Sequence, residues 1–191
     1  IDLPIMISGM AYAFALSAKA KIALAKGSSM AGTATNTGEG PFLPAERKAA
    51  DKLIIQYNRG KWSKSKKILR QADMIEIHFG QGAAGGVGHY IENKEIDWKI
   101  RRKLGLGWGE KAVIHANFPG VHKPNYLKDL IRYLRDVTQG VPIGVKLAAG
   151  KYLEEDLEIA VESGVDVITL DGSKAGSKGT APIFQDDFGL P

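Results

Sequence analysis

The chain has 191 residues, of which 44% are hydrophobic and 25% are charged, which is typical of a globular domain with one core. It contains no cysteine, which excludes disulfides, zinc–thiolate sites and cysteine-ligated clusters within these residues. The sequence shows no apolar run of membrane-spanning length and no signal peptide, so we expect a cytoplasmic protein.

The formal net charge of +5 gives only weak support for a nucleic-acid partner. The densest basic run, at residues 61–67, is interpreted as the solvated face of a helix, because no nucleic-acid motif accompanies it. A modest positive potential also suits an anionic small molecule. We therefore expect a small-molecule ligand, and neither nucleic acid nor a membrane as partner.

Short apolar segments alternate with helical patterns along the whole chain. The predicted strands are residues 4–8, 31–35, 74–79, 113–116, 143–147 and 165–170. The predicted helices are residues 17–26, 44–58, 64–71, 125–137 and 153–162. Ser17 is the expected N-cap of the first helix, and Gly27 is its expected stop.

The predicted strands are too uniformly apolar to face water on one side, which indicates a parallel sheet covered by helices. A doubly wound sheet and a (β/α)8 TIM barrel both satisfy this pattern. Polar and glycine-rich segments follow the strands, where a barrel carries its ligand loops. A complete barrel needs about 250 residues, so this chain would hold about six β/α units of a domain that is incomplete at its C-terminus.

The loop after the third predicted strand is the strongest indication of a binding site. It places five glycines between Gly80 and Gly88, together with the polar side chains of Gln81 and His89. Glycine-rich backbone allows close approach to a ligand and presents its N–H groups. The loop locates the chemistry without specifying it.

Four further polar residues are candidates for the site. Lys146 lies near the end of a buried strand, so it must either pair with a carboxylate of a neighbouring strand, such as Glu76, or face an anionic cofactor. Asp171 ends the sixth predicted strand and is either a turn residue or a site residue. Glu39, in the segment NTGEG, is either a general base or part of a turn.

The remaining motifs exclude several classes of site. The four histidines are not at metal-ligand spacing, so we expect no metal site. His78 and His115 lie in strand-like segments and are interpreted as hydrogen-bonded core residues. The sequence has no Walker loop, no nucleophile elbow and no GxGxxG segment that opens a helix.

Five segments in order resemble the FMN-binding domain of the glutamate synthase family. They are ISGMAYAFALS, TNTGEGP, IEIHFGQGAAGGVG, IGVKLAA and DGSKAGSKGTAP. The family shows a Met-Ser-rich loop, SNTGEGG, IEIKxGQGAKPGxGG, VSVKL and GGTGASP in the same places. The resemblance covers residues 1–191 and implies a single FMN-binding (β/α)8 barrel domain.

The resemblance implies an oxidoreductase that reduces 2-iminoglutarate, formed from 2-oxoglutarate and ammonia, to L-glutamate by hydride transfer from reduced FMN. It implies that Lys146 and Glu39 are catalytic, because a cation near the flavin N1/O2 edge stabilises the anionic reduced ring. The implied cofactor-binding residues are Gly9, Met10, Ala11, Asn36, Thr37, Gln81, Lys146, Asp171, Gly176, Gly179 and Thr180. The implied substrate-binding residues are Gln81, His89, Arg101 and Arg102, since a guanidinium can bind a carboxylate bidentately.

The resemblance also implies groups outside this sequence. The family's FMN-phosphate site and the cysteines of its 3Fe-4S cluster lie beyond the position of Pro191. No amidotransferase domain is present in the sequence, so ammonia would be free or would come from a separate amidotransferase subunit, and a reductase subunit is a further candidate partner.

Ala84 stands where the family has the lysine of GQGAKPG, and three hypotheses stay open. The first is a glutamate synthase-type enzyme. The second is another FMN-barrel dehydrogenase with a different substrate. The third is a non-catalytic barrel subunit.

Overall fold

The computed structural model describes residues 1–82, 86–174 and 189–190. The helices are α1 Ala18–Met30, α2 Pro44–Ala49, α3 Lys66–Leu69, α4 Trp98–Leu104, α5 Tyr126–Thr138 and α6 Leu153–Glu162. The strands are β1 Ala34–Asn36, β2 Lys52–Tyr57, β3 Met74–His78, β4 His89–Ile91, β5 Ala112–Ile114, β6 Ile143–Ala148 and β7 Val167–Asp171. A short 3-10 helix covers Asn93–Glu95. Among the described helices, none is long and apolar enough to cross a membrane.

Five strands form one parallel sheet in the order β1-β2-β3-β6-β7. A single parallel bridge from Ile7 to Thr35 adds the N-terminal segment beside β1. The sheet curls into half of a barrel. The predicted α/β class with a parallel sheet is therefore confirmed, and the described residues form a curled half-barrel.

The main hydrophobic core lies between the outer face of the sheet and the helices. Alternate residues of the central strands, among them Ile75, Ile77, Ile143 and Val145, are fully buried in it. From the helices, α5 contributes a buried stripe at helical spacing, which includes Ile131, Leu134 and Val137. Because alternate strand residues point to opposite faces, the residues between these positions line the inner face.

A second, smaller lobe is built from the segment between β3 and β6. In it, β4 pairs antiparallel with β5, and α4 packs against the hairpin through Ile100 and Leu104. The Asp97 carboxylate caps α4 by accepting from the N–H groups of Lys99 and Ile100. Gly105 ends the helix in the left-handed conformation.

Two predicted elements are wrong. The predicted helix at residues 44–58 ends at Ala49, and Lys52–Tyr57 is strand β2, buried at the centre of the sheet. The predicted strand at residues 113–116 does not join the parallel sheet but forms β5 of the small hairpin. The prediction of six strands in one sheet therefore wrongly included β5 and omitted β2.

The other predicted elements lie close to their predicted positions, with two local differences. Ser17 caps α1 as predicted, through a hydrogen bond from the N–H of Ala20, but the helix runs through Gly27 to Met30. The predicted strand at residues 4–8 is reduced to the Ile7 bridge.

Candidate functional site

The candidate site lies at the carboxyl edge of the parallel sheet, where several predicted residues meet. Asn36, His78 and Asp171 are the last residues of β1, β3 and β7. Lys146 lies in β6 directly beside His78 in the register. Parallel strands bring their carboxyl ends to one edge, so residues far apart in sequence converge there.

The lower tier of the site is a hydrogen-bonded group around the buried carboxylate of Glu76. Its Oε1 accepts hydrogen bonds of 2.8 Å from the side-chain amides of Asn36 and Gln56. Its Oε2 accepts a longer bond of 3.4 Å from the hydroxyl of Thr169. Amide donors, rather than a cation, therefore hold this carboxylate, and the predicted pairing of Glu76 with Lys146 is wrong.

Lys146 instead pairs with the neighbouring strand. Its Nζ lies 3.1 Å from Oδ2 of Asp171, and the lysine side chain is only 4% exposed. Among the described residues, Asp171 is the sole side-chain partner of this ammonium. An ammonium has three N–H donors, so Lys146 retains capacity for an anionic ligand.

The upper tier is centred on Glu39, whose carboxylate is surrounded by three basic side chains. Oε1 lies 2.9 Å from Nδ1 of His78 and 3.9 Å from Nη2 of Arg59. Oε2 lies 3.7 Å from Nε2 of His89. Glu39, His78 and Arg59 are buried, whereas His89 is partly exposed.

The backbone around Glu39 is fixed by its own sequence. Gly38 has a φ of +66°, which glycine adopts without strain, and its N–H donates to Oδ1 of Asn36 at 2.9 Å. The carbonyl of Glu39 accepts a 2.6 Å hydrogen bond from the indole of Trp62 and a 3.4 Å bond from Asn58. The two interpretations of NTGEG, as a turn and as a catalytic segment, are therefore compatible, because the turn holds the carboxylate of Glu39 in the upper tier.

Charges in the upper tier shift the protonation of its members. Burial alone raises the pKa of Glu39, but contact with His78 and the charges of His78, His89 and Arg59 outweigh it, so this pKa lies below its ordinary value. Burial lowers the pKa of His89, with Arg59 and His78 adding to the effect and Glu39 opposing it. Burial also lowers the pKa of Arg59, against the attraction of Glu39. The site therefore favours a carboxylate beside a neutral His89.

The first predicted flavin loop, Gly9, Met10 and Ala11, packs directly on the NTGEG turn. A Cβ built on Gly38 would lie 2.6 Å from the carbonyl carbon of Met10. A Cβ built on Gly9 would lie 3.0 Å from Nε2 of Gln56. Both glycines are therefore needed for the two loops to stack over the lower tier.

The remaining predicted cofactor residues have different positions. Thr37 is buried, and its hydroxyl accepts from the N–H of Gln56 at 3.0 Å, so it joins β1 to β2. Gln81 is partly buried in the glycine loop after β3. Gly176, Gly179 and Thr180, and the Ala84 position, lie outside the described residues.

The structure does not bring the predicted substrate arginines to the cluster. The guanidinium of Arg101 is buried in the small lobe, where it donates to the carbonyls of Gly107, Glu110 and Asn93. It also donates to Oδ1 of Asn93. Arg102 is exposed on α4. Arg101 thus holds the lobe together.

Of the two histidines that were expected in the core, one is buried and one is exposed. His78 is fully buried as expected, but it faces Glu39 and belongs to the site. His115 was expected in the core and is exposed instead, at the end of β5. Within the described residues, no group of three or more His, Asp or Glu side chains could hold a metal ion.

Sequence reasoning missed Arg59 and Gln56. Arg59 donates to the carbonyls of Gly86 and Ala116, so it ties the glycine loop and the segment after β5 to the end of β2. Gln56 was hidden because residues 44–58 were interpreted as one helix, and Arg59 was hidden because it directly follows that range. The segment LIIQYNRG, an apolar run closed by Asn, Arg and Gly, was the signal that could have shown a strand ending in the site.

A separate cavity of about 620 Å³ lies on the outside of the sheet, between α5 and α6. Its lining includes Val145 and Leu147, which face away from the inner tiers, with Tyr126 and Ile159 from the helices. We place the functional site at the inner edge, because the buried charged groups converge there and not in this outer groove.

Comparison with known proteins identifies the family of this chain. The family described as "Conserved region in glutamate synthase" matches residues 1–191. A glutamate synthase large subunit-like protein of Rhizobium meliloti (strain 1021) is 34% identical over all of this chain and 43% of its own length.

Two further relatives are an archaeal-type glutamate synthase [NADPH] of Dehalococcoides mccartyi and an archaeal glutamate synthase [NADPH] of Methanocaldococcus jannaschii, each 31% identical over all of this chain and 38% of their own length. The chain thus spans about two fifths of the length of these curated relatives. Because the family match covers every residue, the chain belongs to the glutamate synthase family.

Proposed function

We propose that this chain forms the FMN-binding part of an oxidoreductase that reduces 2-iminoglutarate, made from 2-oxoglutarate and ammonia, to L-glutamate. The observation that carries the proposal is the placement of Lys146. It is a buried cation at the carboxyl edge of a parallel sheet, with a single carboxylate partner among the described residues. A buried ammonium with free donors suits a ligand that becomes negatively charged, as a flavin ring does on reduction.

The residues present fit a flavin on a second ground. The loops that carry Gly9 and Gly38 approach each other so closely that a side chain at either position would collide with or press on its neighbour. These glycines let the two loops pack backbone against backbone, and we propose that the flat ring lies against the loops so fixed. We propose Gly9, Met10, Ala11, Asn36 and Thr37 on one side of the ring. Gln81, Asp171, Gly176, Gly179 and Thr180 complete the proposed cofactor site.

When bound, reduced FMN would supply the hydride. The residues of this chain would do the rest. Lys146 would stabilise negative charge on the ring, and Asp171 would hold the ammonium in place. Glu39 would hold or move a proton beside the substrate, and Gln81 and His89 would position it. Arg102 remains a proposed contact for the substrate carboxylate, whereas the bonds of Arg101 leave its guanidinium engaged within the small lobe.

The proposed domain is about six β/α units of a (β/α)8 barrel. The outer strand β7 supports this proposal, because Leu170 is 49% exposed there although it is a strand residue of an apolar sheet. An open parallel edge of this kind is normally covered. Further proposed components are a 3Fe-4S cluster outside these residues and an ammonia source or reductase in a separate subunit.

The test is the visible absorbance spectrum of the purified complete polypeptide. We expect a yellow protein whose flavin, released by heat, is FMN. If the protein is colourless as isolated, added FMN should restore flavin bands and quench free FMN fluorescence in proportion to protein. A colourless protein that gains no flavin absorbance with added FMN would contradict the proposal and would leave the non-catalytic subunit as the better hypothesis.

A further inference from the structure

Glu39 joins two histidines that differ strongly in exposure. Its Oε1 lies 2.9 Å from His78 and its Oε2 lies 3.7 Å from His89, so each carboxylate oxygen serves a different imidazole. The side chains are 1% exposed for His78, 10% for Glu39 and 35% for His89. The three groups therefore form a row that leads from solvent into the protein.

Two of the three carboxylates around this row are paired with a cation. Arg59 lies 3.9 Å from Glu39, so the carboxylate faces one permanent cation. Lys146, beside His78 in the register, is paired with Asp171. Glu76, two residues before His78 on the same strand, is held by the amides of Asn36 and Gln56. These groups therefore carry one net negative charge, at Glu76, and Glu39 is the carboxylate that faces both histidines, so it attracts a proton added to either one.

The buried end of the row contains polar atoms that lack hydrogen-bond partners. Both ring nitrogens of His78, and Oε1 of Glu39, are buried and make no hydrogen bond of good geometry among the described residues, although Nδ1 and Oε1 lie 2.9 Å apart. Buried polar atoms are nearly always satisfied, so a free imidazole nitrogen indicates a missing ligand or water. Since Nδ1 faces Glu39, Nε2 is the atom of His78 that remains for that ligand.

We propose that His89, Glu39 and His78 form a proton relay, in which Nε2 of His78 delivers a proton to the bound substrate and is reprotonated from solvent through Glu39 and His89. This inference rests on the proposed function, because reduction of an imine consumes a proton. A hydride brings two electrons to the imine carbon, and the electron pair of the C=N π bond takes the proton from His78 to form the new N–H bond. As Nε2 gives up its proton, Nδ1 of His78 takes the one that Glu39 receives from His89, and His89 takes one from water. His78 then returns to its Nε2–H tautomer before the next turnover.

The family pattern supplies a matched control. It has lysine where this chain has His78, in IEIKxGQGAKPGxGG against IEIHFGQGAAGGVG. A lysine amine with an ordinary pKa stays protonated at neutral pH, whereas a histidine titrates there. His78→Lys therefore keeps a basic group beside Glu39 but removes the second ring nitrogen, through which the relay would pass a proton.

The first measurement follows the histidine side chains by 15N NMR in the complete polypeptide, without flavin or substrate. Single histidine variants assign the signals. We expect Glu39→Gln to lower the titration midpoint of His89, since this histidine loses a facing carboxylate. Exposed His122 reports on the fold, and His122→Gln is the control. A midpoint of His89 that does not move in Glu39→Gln would overturn the relay.

The second measurement separates a relay from a static cluster. The N–H of His78 should exchange with water about tenfold more slowly in His89→Gln, because its path to solvent is cut, and at an unchanged rate in His122→Gln. In the flavin-loaded protein, His78→Lys should slow imine reduction, because lysine lacks the second nitrogen that passes a proton on. Unchanged exchange in His89→Gln would overturn the relay even if the enzyme reduces the imine. Slowed exchange in a protein that binds no flavin would support the relay and refute the proposed function.

Discussion

Nδ1 of His78 lies 2.9 Å from Oε1 of Glu39, although 39 positions separate the two residues in sequence. The contact exists because β1 and β3 flank β2 in a parallel sheet, so the residues at and just beyond their carboxyl ends meet at one edge. A turn residue and a residue expected in the core thus become one ionisable pair. The candidate site is built from such pairs between strand ends.

Replacing Lys146 by Met should weaken FMN binding, because the cation proposed to face the ring is lost. A hydrogen bond to a charged group contributes about 1.5–3 kcal/mol, so the dissociation constant should rise about 10- to 100-fold. Fluorescence titration of the complete polypeptide measures it. Asp171→Asn is the matched control, since it removes the partner but keeps the cation. Equal affinity in Lys146→Met and the parent protein would exclude contact between this ammonium and the flavin.

The buried ion pair of Lys21 and Glu46 should control stability rather than chemistry. The atoms lie 2.8 Å apart, both side chains are at most 1% exposed, and Lys21 also donates to the carbonyl of Asn36 at 2.7 Å. Lys21→Met leaves an unpaired buried carboxylate and should lower the free energy of unfolding by about 3–5 kcal/mol. The double variant Lys21→Met with Glu46→Leu should recover most of that loss, as chemical denaturation would show.

The pH dependence of Lys21→Met provides a separate test. Burial raises the pKa of Glu46, against the charge of Lys21. Without Lys21 the native state holds a proton on Glu46 that the unfolded state releases, so stability should fall as pH rises above the ordinary glutamate value of about 4.5. Adding Glu46→Gln should remove this slope. The difference in unfolding free energy between Lys21→Met and the double variant with Glu46→Gln should therefore be larger at pH 7.5 than at pH 4. An equal difference at both pH values would contradict a raised pKa of Glu46.

Two glycines should respond to alanine in opposite directions. Gly27 lies inside α1, and a Cβ at this position would have nothing within 4 Å, so Gly27→Ala should stabilise the protein by about 0.5–1 kcal/mol. Gly38 has a positive φ and its Cβ would meet Met10, so Gly38→Ala should destabilise the protein and weaken flavin binding. Thermal unfolding of both variants checks the pair. Stabilisation by Gly38→Ala would contradict the stacked-loop geometry.

Lys64 should be an unusually reactive amine. It lies 4.5 Å from the ring centre of Tyr57 and 5.3 Å from that of Phe118, and burial lowers its pKa to about 8. Because the neutral amine is the nucleophile, brief acetylation at pH 7.5 should modify Lys64 faster than its near neighbour Lys66, which is exposed. Peptide mass spectrometry gives the ratio. Slower labelling of Lys64 would show that burial blocks the reagent more than it favours the neutral amine.

The sequence predicted the elements whose periodicity is local. The buried run of β3 and the helices α5 and α6 were located from their own residues, with boundaries within one or two positions. Strand β2 was missed because only Ala50 and Asp51 separate it from α2, and its apolar residues extend a helical pattern that starts at Pro44. β5 was misplaced because apolar residues alone do not specify which strand a segment pairs with.

The site was predictable in its loops but not in its pairings. The glycines and NTGEG indicated which loops lie at the carboxyl edge of the sheet. The partners of Lys146 and Glu76 depend on which strands are neighbours and on the register between them, neither of which is written in either segment. Because β2 was missed, the site prediction omitted Gln56, whose side-chain amide donates to Glu76. It also omitted Arg59, which follows that strand.

The central claim is tested most directly by anaerobic reoxidation of the reduced flavin in the complete polypeptide. With 2-oxoglutarate and 15N-labelled ammonium, we expect the flavin bands to return and one 15N-labelled glutamate to form for each flavin oxidised. 2-Oxoglutarate without ammonium should leave the flavin reduced. A flavin that stays reduced with both substrates, or that reoxidises equally well with unrelated keto acids and forms no labelled glutamate, would contradict a glutamate synthase-type reaction at this site.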